Sequence, residues 1–238
     1  VDALAPLLAL CLAASARAAG VDAAQAPDAG EPVKSAPQIL ALIPAPPKSV
    51  DEARRRRGRV RDPKGREAEV DLGGSEAIRA LFARAYAARA AARRAPPPAR
   101  VELSPEEDAA LKALGEGAHA MINESAAAAR EFEKAVSAEG DALKTRLRAG
   151  KSADDARAAY LRREAGLAAD FRTKVAAWVA QADALVAAAR AKIAEPRFAS
   201  RARSAADQLA AQQDLLLWEL VRANDAIVVA ATDKAPAK

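Results

Sequence analysis

One cysteine, one histidine, one methionine and eight aromatic residues are all that 238 residues supply for redox, metal-binding or stacking chemistry. A lone cysteine, Cys11, closes no intrachain disulfide, so packing alone has to hold the fold. A lone histidine, His119, has no cysteine beside it to form a nucleophile–base pair. Glu116-Gly117-Ala118-His119 does match the Glu-x-x-His spacing of di-iron helices, but a second such pair would need a second histidine. No Cys-x-x-Cys-His offers a haem, and Gly73-Gly74-Ser75 lacks the lysine of a phosphate loop. Aromatic residues make up 3% of the chain, too few for a thick globular core. No cofactor, metal or catalytic constellation emerges, and an enzyme is not expected.

What the chain has in abundance is alanine, 70 residues of it. Alanine is the best helix former and buries little area per residue, which suits long thin helices packed closely along their lengths. The fold class expected is all-α. The apolar run from Ala3 to Ala19 is too short to span a bilayer and carries small residues at Ala16 and Ala18. Residues 1–18 are therefore expected to be a signal peptide cleaved near Ala18-Ala19, which would place the mature chain outside the cytoplasm, in a bacterial periplasm. A basic n-region is missing, since Asp2 is the only charge before the run. Leu8-Ala9-Leu10-Cys11 suggests lipid anchoring at Cys11 instead, ranked second because leucine stands where a small residue is wanted.

From residue 19 to residue 74 the apolar period is broken by seven prolines, and the segment reads as a disordered Pro/Arg-rich tether. Gln38-Ile39-Leu40-Ala41-Leu42-Ile43 is its one sticky patch, read as a transient apolar cluster ahead of a short docking strand or helix. A short amphipathic helix is expected over 75–95, capped by Ser75 and stopped by Pro96-Pro97-Pro98, with a Pro-rich linker over 96–103.

Ser104-Pro105-Glu106-Glu107 is the strongest start signal: a cap, a proline at the first helical position, and a glutamate three residues after the cap. Leu111, Leu114, Ala118, Met121, Ser125, Ala129, Phe132, Val136, Gly140, Leu143 and Leu147 then keep spacings of three and four up to Gly150. Ser152 caps a second helix whose stripe runs through Tyr160, Phe171, Val175, Trp178 and Leu185 to Glu195-Pro196. A third follows through Phe198, Leu209, Leu216, Leu220 and Ile227. The expectation is an elongated antiparallel three-helix bundle or coiled-coil hairpin over 104–232, with the shorter helix and the tether before it and a disordered tail over 233–238. Folding about residue 151 sets Phe132 opposite Phe171 and Leu143 opposite Tyr160; folding near 197 brings Trp178 level with Trp218. Helix lengths leave the tip, residues 138–165, as a bare two-helix hairpin.

The loudest local signal is Arg54, Arg55, Arg56, Arg57, Arg59, Arg61, Lys64 and Arg66, eight cations in 13 residues. Such a run can hold a polyanion by counterion release. No aromatics are interleaved, so sequence-specific nucleic acid is not indicated. Outside the cytoplasm the candidate anions are lipid head groups or an acidic envelope polymer; a solvated linker is the bland alternative. Elsewhere, Glu106-Glu107 and Asp154-Asp155 suit helix N-termini, and Glu131 and Glu133 flank Phe132 and should face solvent. The resulting expectation is a non-enzymatic interaction, scaffold or chaperone-like module of the envelope. Its partner is a protein, with an anionic surface held by residues 54–66 as the alternative. Alanine-rich stripes pack equally well between copies, so a homo-oligomer fits the same pattern.

Overall fold

In the computed structural model, residues 35–61, 67–72, 101–150 and 152–233 are described. The expected signal segment with Cys11, the 75–95 helix, most of the proline linker and the last five residues lie outside them. The described chain is predominantly helical, with one small hairpin: α1 Ala36–Leu42, α2 Val50–Arg56, β1 Arg57–Arg61, β2 Glu67–Asp71, α3 Pro105–Arg148, α4 Ala153–Lys192, α5 Arg197–Arg201 and α6 Arg203–Thr232. At 1.5 Å per residue, α3, α4 and α6 measure about 66, 60 and 45 Å.

Local chemistry sets the boundaries. At the start of α3 the Glu107 N–H donates to Ser104 Oγ (3.2 Å) and the Ser104 N–H donates to Glu107 Oε2 (2.8 Å), so two orphan donors are satisfied reciprocally. The chain turns at Gly150, whose φ of +75° only glycine adopts cheaply. Ser152 caps α4 by accepting from the Asp155 N–H. The second long helix stops at Lys192, three residues before the expected Glu195, and the third is divided by the buried Ala202 into the short α5 and α6.

The three long helices meet through defined partners. Phe132 and Phe171 stack with ring centroids 4.2 Å apart, and Arg163 donates to Glu139 at 2.8 Å. Gln213 Nε2 donates to Val179 O (3.1 Å) and Asp183 Oδ1 (2.9 Å), and Arg157 Nη2 donates to Asp233 O (2.6 Å). Arg197 reaches Glu107, Gln212 reaches Ser125, and Arg222 reaches Glu133. One apolar cluster runs from Leu114 and Phe198 past Trp178 to Phe132 and Phe171. A second, nearer the Gly150 turn, joins Leu143, Tyr160, Leu161 and Ile227 to Ala53.

Three expectations are corrected. Residues 35–61 and 67–72, read as part of a disordered tether, form α1, α2 and a hairpin packed on α4 and α6. The sticky patch is a short docked helix, the alternative to the favoured transient cluster: Ile39 and Ile43 stand one turn apart and are both buried. The tip 138–165 is not bare either. Asp233, just past α6, reaches Arg157, and Ala53 and Val50 of α2 close over Leu143 and Tyr160. The end of α6, through Ile227 and Ala231, and α2 together cover what helix-length arithmetic leaves exposed.

Candidate functional site

The arginine run folds into an arm. Ser49 caps α2, Asp51 and Glu52 lie in its first turn and Arg54, Arg55 and Arg56 in its last, the order that complements the helix dipole. β1 then pairs antiparallel with β2 in the register Arg57↔Asp71, Arg59↔Glu69, Arg61↔Glu67. Opposite charges facing across the ladder hold such a pair. A Cβ on Gly58 would fall 1.9 Å from Leu72 Cδ1, so the leucine can fold back over the strand only because that residue is glycine.

The arm divides the proposed anion-binding residues into two sets. Arg56, 12% exposed, forms a two-pronged pair with the fully buried Asp71 and also donates to Ala45 O. Arg57 bonds to Glu69, Asp233, Thr232 O and Thr232 Oγ1. Both tie the arm down and are not presented to a ligand. Arg54, Arg55 and Arg59 point outward; Arg54 pairs with Asp51, and Arg59 with Glu67 and Glu69. For Arg61 only the strand backbone is described, and Lys64 and Arg66 lie outside the described residues.

Beneath the arm lies a second apolar stripe that a single-face reading misses. On α4 it carries Leu161, Ala168 and Val179 alongside the stripe of Tyr160, Phe171 and Trp178; on α6 it carries Leu217, Val221 and Val228. Arg172 Nη1 donates to Ile43 O (2.7 Å) and Nη2 to Leu40 O (2.5 Å), which also accepts from the Ile43 N–H, and so grips the end of α1. Asn224 donates to Pro44 O (2.7 Å), and the Asp71 N–H to Asp225 Oδ1 (3.0 Å). Where α1 begins, the trough opens into two adjoining shallow grooves. One, of about 530 Å³, runs between α1 and α4 beside Leu40, Ala176 and Val179. The other, of about 410 Å³, runs between α4 and α6 beside Val186, Leu209 and Gln213.

His119 is exposed, with Nε2 2.9 Å from Asn123 Nδ2. No group of three or more potential metal ligands gathers among the described residues. Glu107 does more than the helix-start role expected of it. It is buried, accepts from Arg197 at 2.9 Å, and its carboxyl is held below the usual range by the Ser104 N–H first and then by Arg197. Glu131 and Glu133 do face solvent, Glu133 pairing with Arg222.

The polar group that the spacing argument passed over is Glu164. Its side chain is 0% exposed, and neither carboxylate oxygen has a hydrogen-bond partner. Burial pushes its carboxyl up to about 7, helped by the charge of Glu139 and offset in part by the Tyr160 hydroxyl. Tyr160 in turn is driven above its ordinary value, by burial first and then by the charges of Glu164 and Glu139. Glu164 lies on the inner stripe of α4 itself, four residues after Tyr160 and seven before Phe171, and that acidic residue in a gap of the apolar spacing is the signal that could have revealed it.

Comparison with protein-family models, curated proteins and solved structures finds no match to this chain.

Proposed function

We propose that residues 104–232 form an elongated antiparallel three-helix bundle that works as a non-enzymatic interaction, scaffold or chaperone-like module in a bacterial cell envelope. The observation that carries this reading is the consistency of the interhelical partners. Phe132 with Phe171 and Glu139 with Arg163 are symmetric about the Gly150 turn. The three partners joining α3 to the α5–α6 region keep offsets of 90, 87 and 89 residues. A body held in one register over so many turns presents long charged flanks to solvent, which favours binding along a surface over turnover in a cleft. Export rests on the 1–18 segment, and a protein partner follows from the architecture by analogy.

Photo-crosslinkers placed on the outward faces of α3 and α4, followed by mass spectrometry on intact cell envelopes, test this. One stoichiometric protein adduct from a mature chain beginning near Ala19 is the expected result. A cytoplasmic chain that keeps its first residues, or turnover of a substrate by purified protein, overturns the proposal.

A second reading takes the exposed Arg54, Arg55 and Arg59 as a holdfast for anionic lipid or acidic polymer. Replacing these three with alanine should weaken binding to anionic vesicles and flatten its salt dependence. Unchanged binding and salt dependence would remove this reading.

A further inference from the structure

We propose that Glu139 and Glu164 hold a single proton between them, and that its loss loosens the Gly150 end of the molecule together with the arm seated there. The geometry begins with Arg163, which donates to Glu139 Oε1 across the α3–α4 interface at 2.8 Å. Glu139 lies two turns after Phe132 and Glu164 two turns before Phe171, so the antiparallel register that stacks those rings sets the two glutamates at the same level on adjacent helices. The other Glu139 oxygen is buried without a partner, as are both oxygens of Glu164. With both groups ionised, two carboxylates would face each other beside the layer of Leu143, Tyr160, Leu161 and Ile227, at a desolvation cost that the Tyr160 hydroxyl offsets only in part. One proton removes the conflict. A neutral Glu164 donates an O–H to Glu139 Oε2, while Glu139 keeps its charge against Arg163.

Two buried donors without hydrogen-bond partners, Arg146 Nη1 and Arg157 Nε, lie two turns away along α3 and α4, beyond the Leu143 and Tyr160 layer. On α3, Arg146 lies two turns further on with Nη1 buried and unpartnered. On α4, Arg157 lies two turns before Glu164, its Nη2 committed to Asp233 O, and Tyr160 lies one turn before it. At this level α6 contributes Ile227 and Ala231, with the Asn224 amide bonded to Pro44 O; α2 contributes Val50 and Ala53, its Glu52 and Arg56 paired with each other. The coupling to the arm runs through that layer, because the fully buried Ala53 packs in the same cluster as Tyr160 and Leu143. When the proton leaves for solvent, the charge left behind draws in water and separates the layer on which α2 rests.

Hydrogen exchange on the full chain tests this at about pH 5.5 and pH 8.5, with intrinsic rates corrected. Protection of residues 50–61 and 139–164 in the wild type should fall by about tenfold or more at the higher pH, with residues 105–125 much less affected. Glu164→Gln should keep its protection at both values. Equal pH dependence in wild type and Glu164→Gln, or none in either, overturns the proposal; so does a pH response abolished by Arg146→Gln, which would make that guanidinium the neutraliser. Should Glu164→Gln fail to fold, infrared titration of the wild type decides. The C=O stretch of a neutral carboxyl has to disappear as pH rises through about 7, and its absence below that pH rejects the shared proton.

Discussion

Phe132 and Phe171 show how much a few bulky residues do in a chain this rich in alanine. Their stacked rings face each other across α3 and α4, and Phe171 also meets Trp178 edge-on at 6.4 Å between centroids. Alanine neighbours cannot collapse into a vacated ring site, so Phe132→Ala should cost about 3–5 kcal/mol, read from the shift in denaturation midpoint. A loss below about 1 kcal/mol would mean that the pair is not seated in the core. Residue chemistry of this kind was legible before folding: the Ser104–Glu107 box and the Phe132–Phe171 level follow from spacing alone. Glu164 was passed over although it stands on the same stripe, one turn after Tyr160, because spacing marks a position as inward without showing that its carboxyl finds no donor there.

At the scale of elements, the arm separates what could be read from what could not. The prolines argued against order between residues 19 and 74, yet proline stands at the N-terminus of α1, where the helix loses no hydrogen bond. Arg57-Gly58-Arg59-Val60-Arg61 and Glu67-Ala68-Glu69-Val70-Asp71 alternate with a period of two and opposite charge, a strand-pair signal hidden inside what reads as a basic run. Each piece alone is too short to stand, and the stripe on α4 and α6 supplies the missing burial. Arg172 fastens the arm through two carbonyls, so Arg172→Ala should raise protease cleavage within residues 35–61 several-fold while changing helical content little. Circular dichroism and timed proteolysis check this, and cleavage at the wild-type rate would show that the arm is held by other contacts.

For the whole molecule, opposed shifts in two carboxyls set the pH dependence of stability. Glu107 has its folded value lowered, so its contribution is present above the ordinary value of 4.5 and is lost as pH falls through the depressed one. Glu164 is raised to about 7, so stability is full below 4.5 and drains away as pH climbs toward 7. Glu219, raised chiefly by burial, acts with the same sign. Thermal stability should peak near pH 4.5–5 and fall by about 1–3 kcal/mol by pH 8, with Glu164→Gln removing most of that decline. Melting curves across that range check it, and a stability that rises from pH 5 to 8 would contradict the assignment. The amino-acid order by itself determined the helical class, the caps, the turn at Gly150 and the inner stripe, because each depends on neighbours within about one or two helical turns. Tertiary structure alone decided that α4 and α6 bury a second stripe, that residues 35–61 and 67–72 pack on it, and that the inward Glu164 carboxyl is left without a hydrogen-bond partner. Those outcomes depend on which surfaces meet across more than a hundred residues of chain, and no local pattern encodes that.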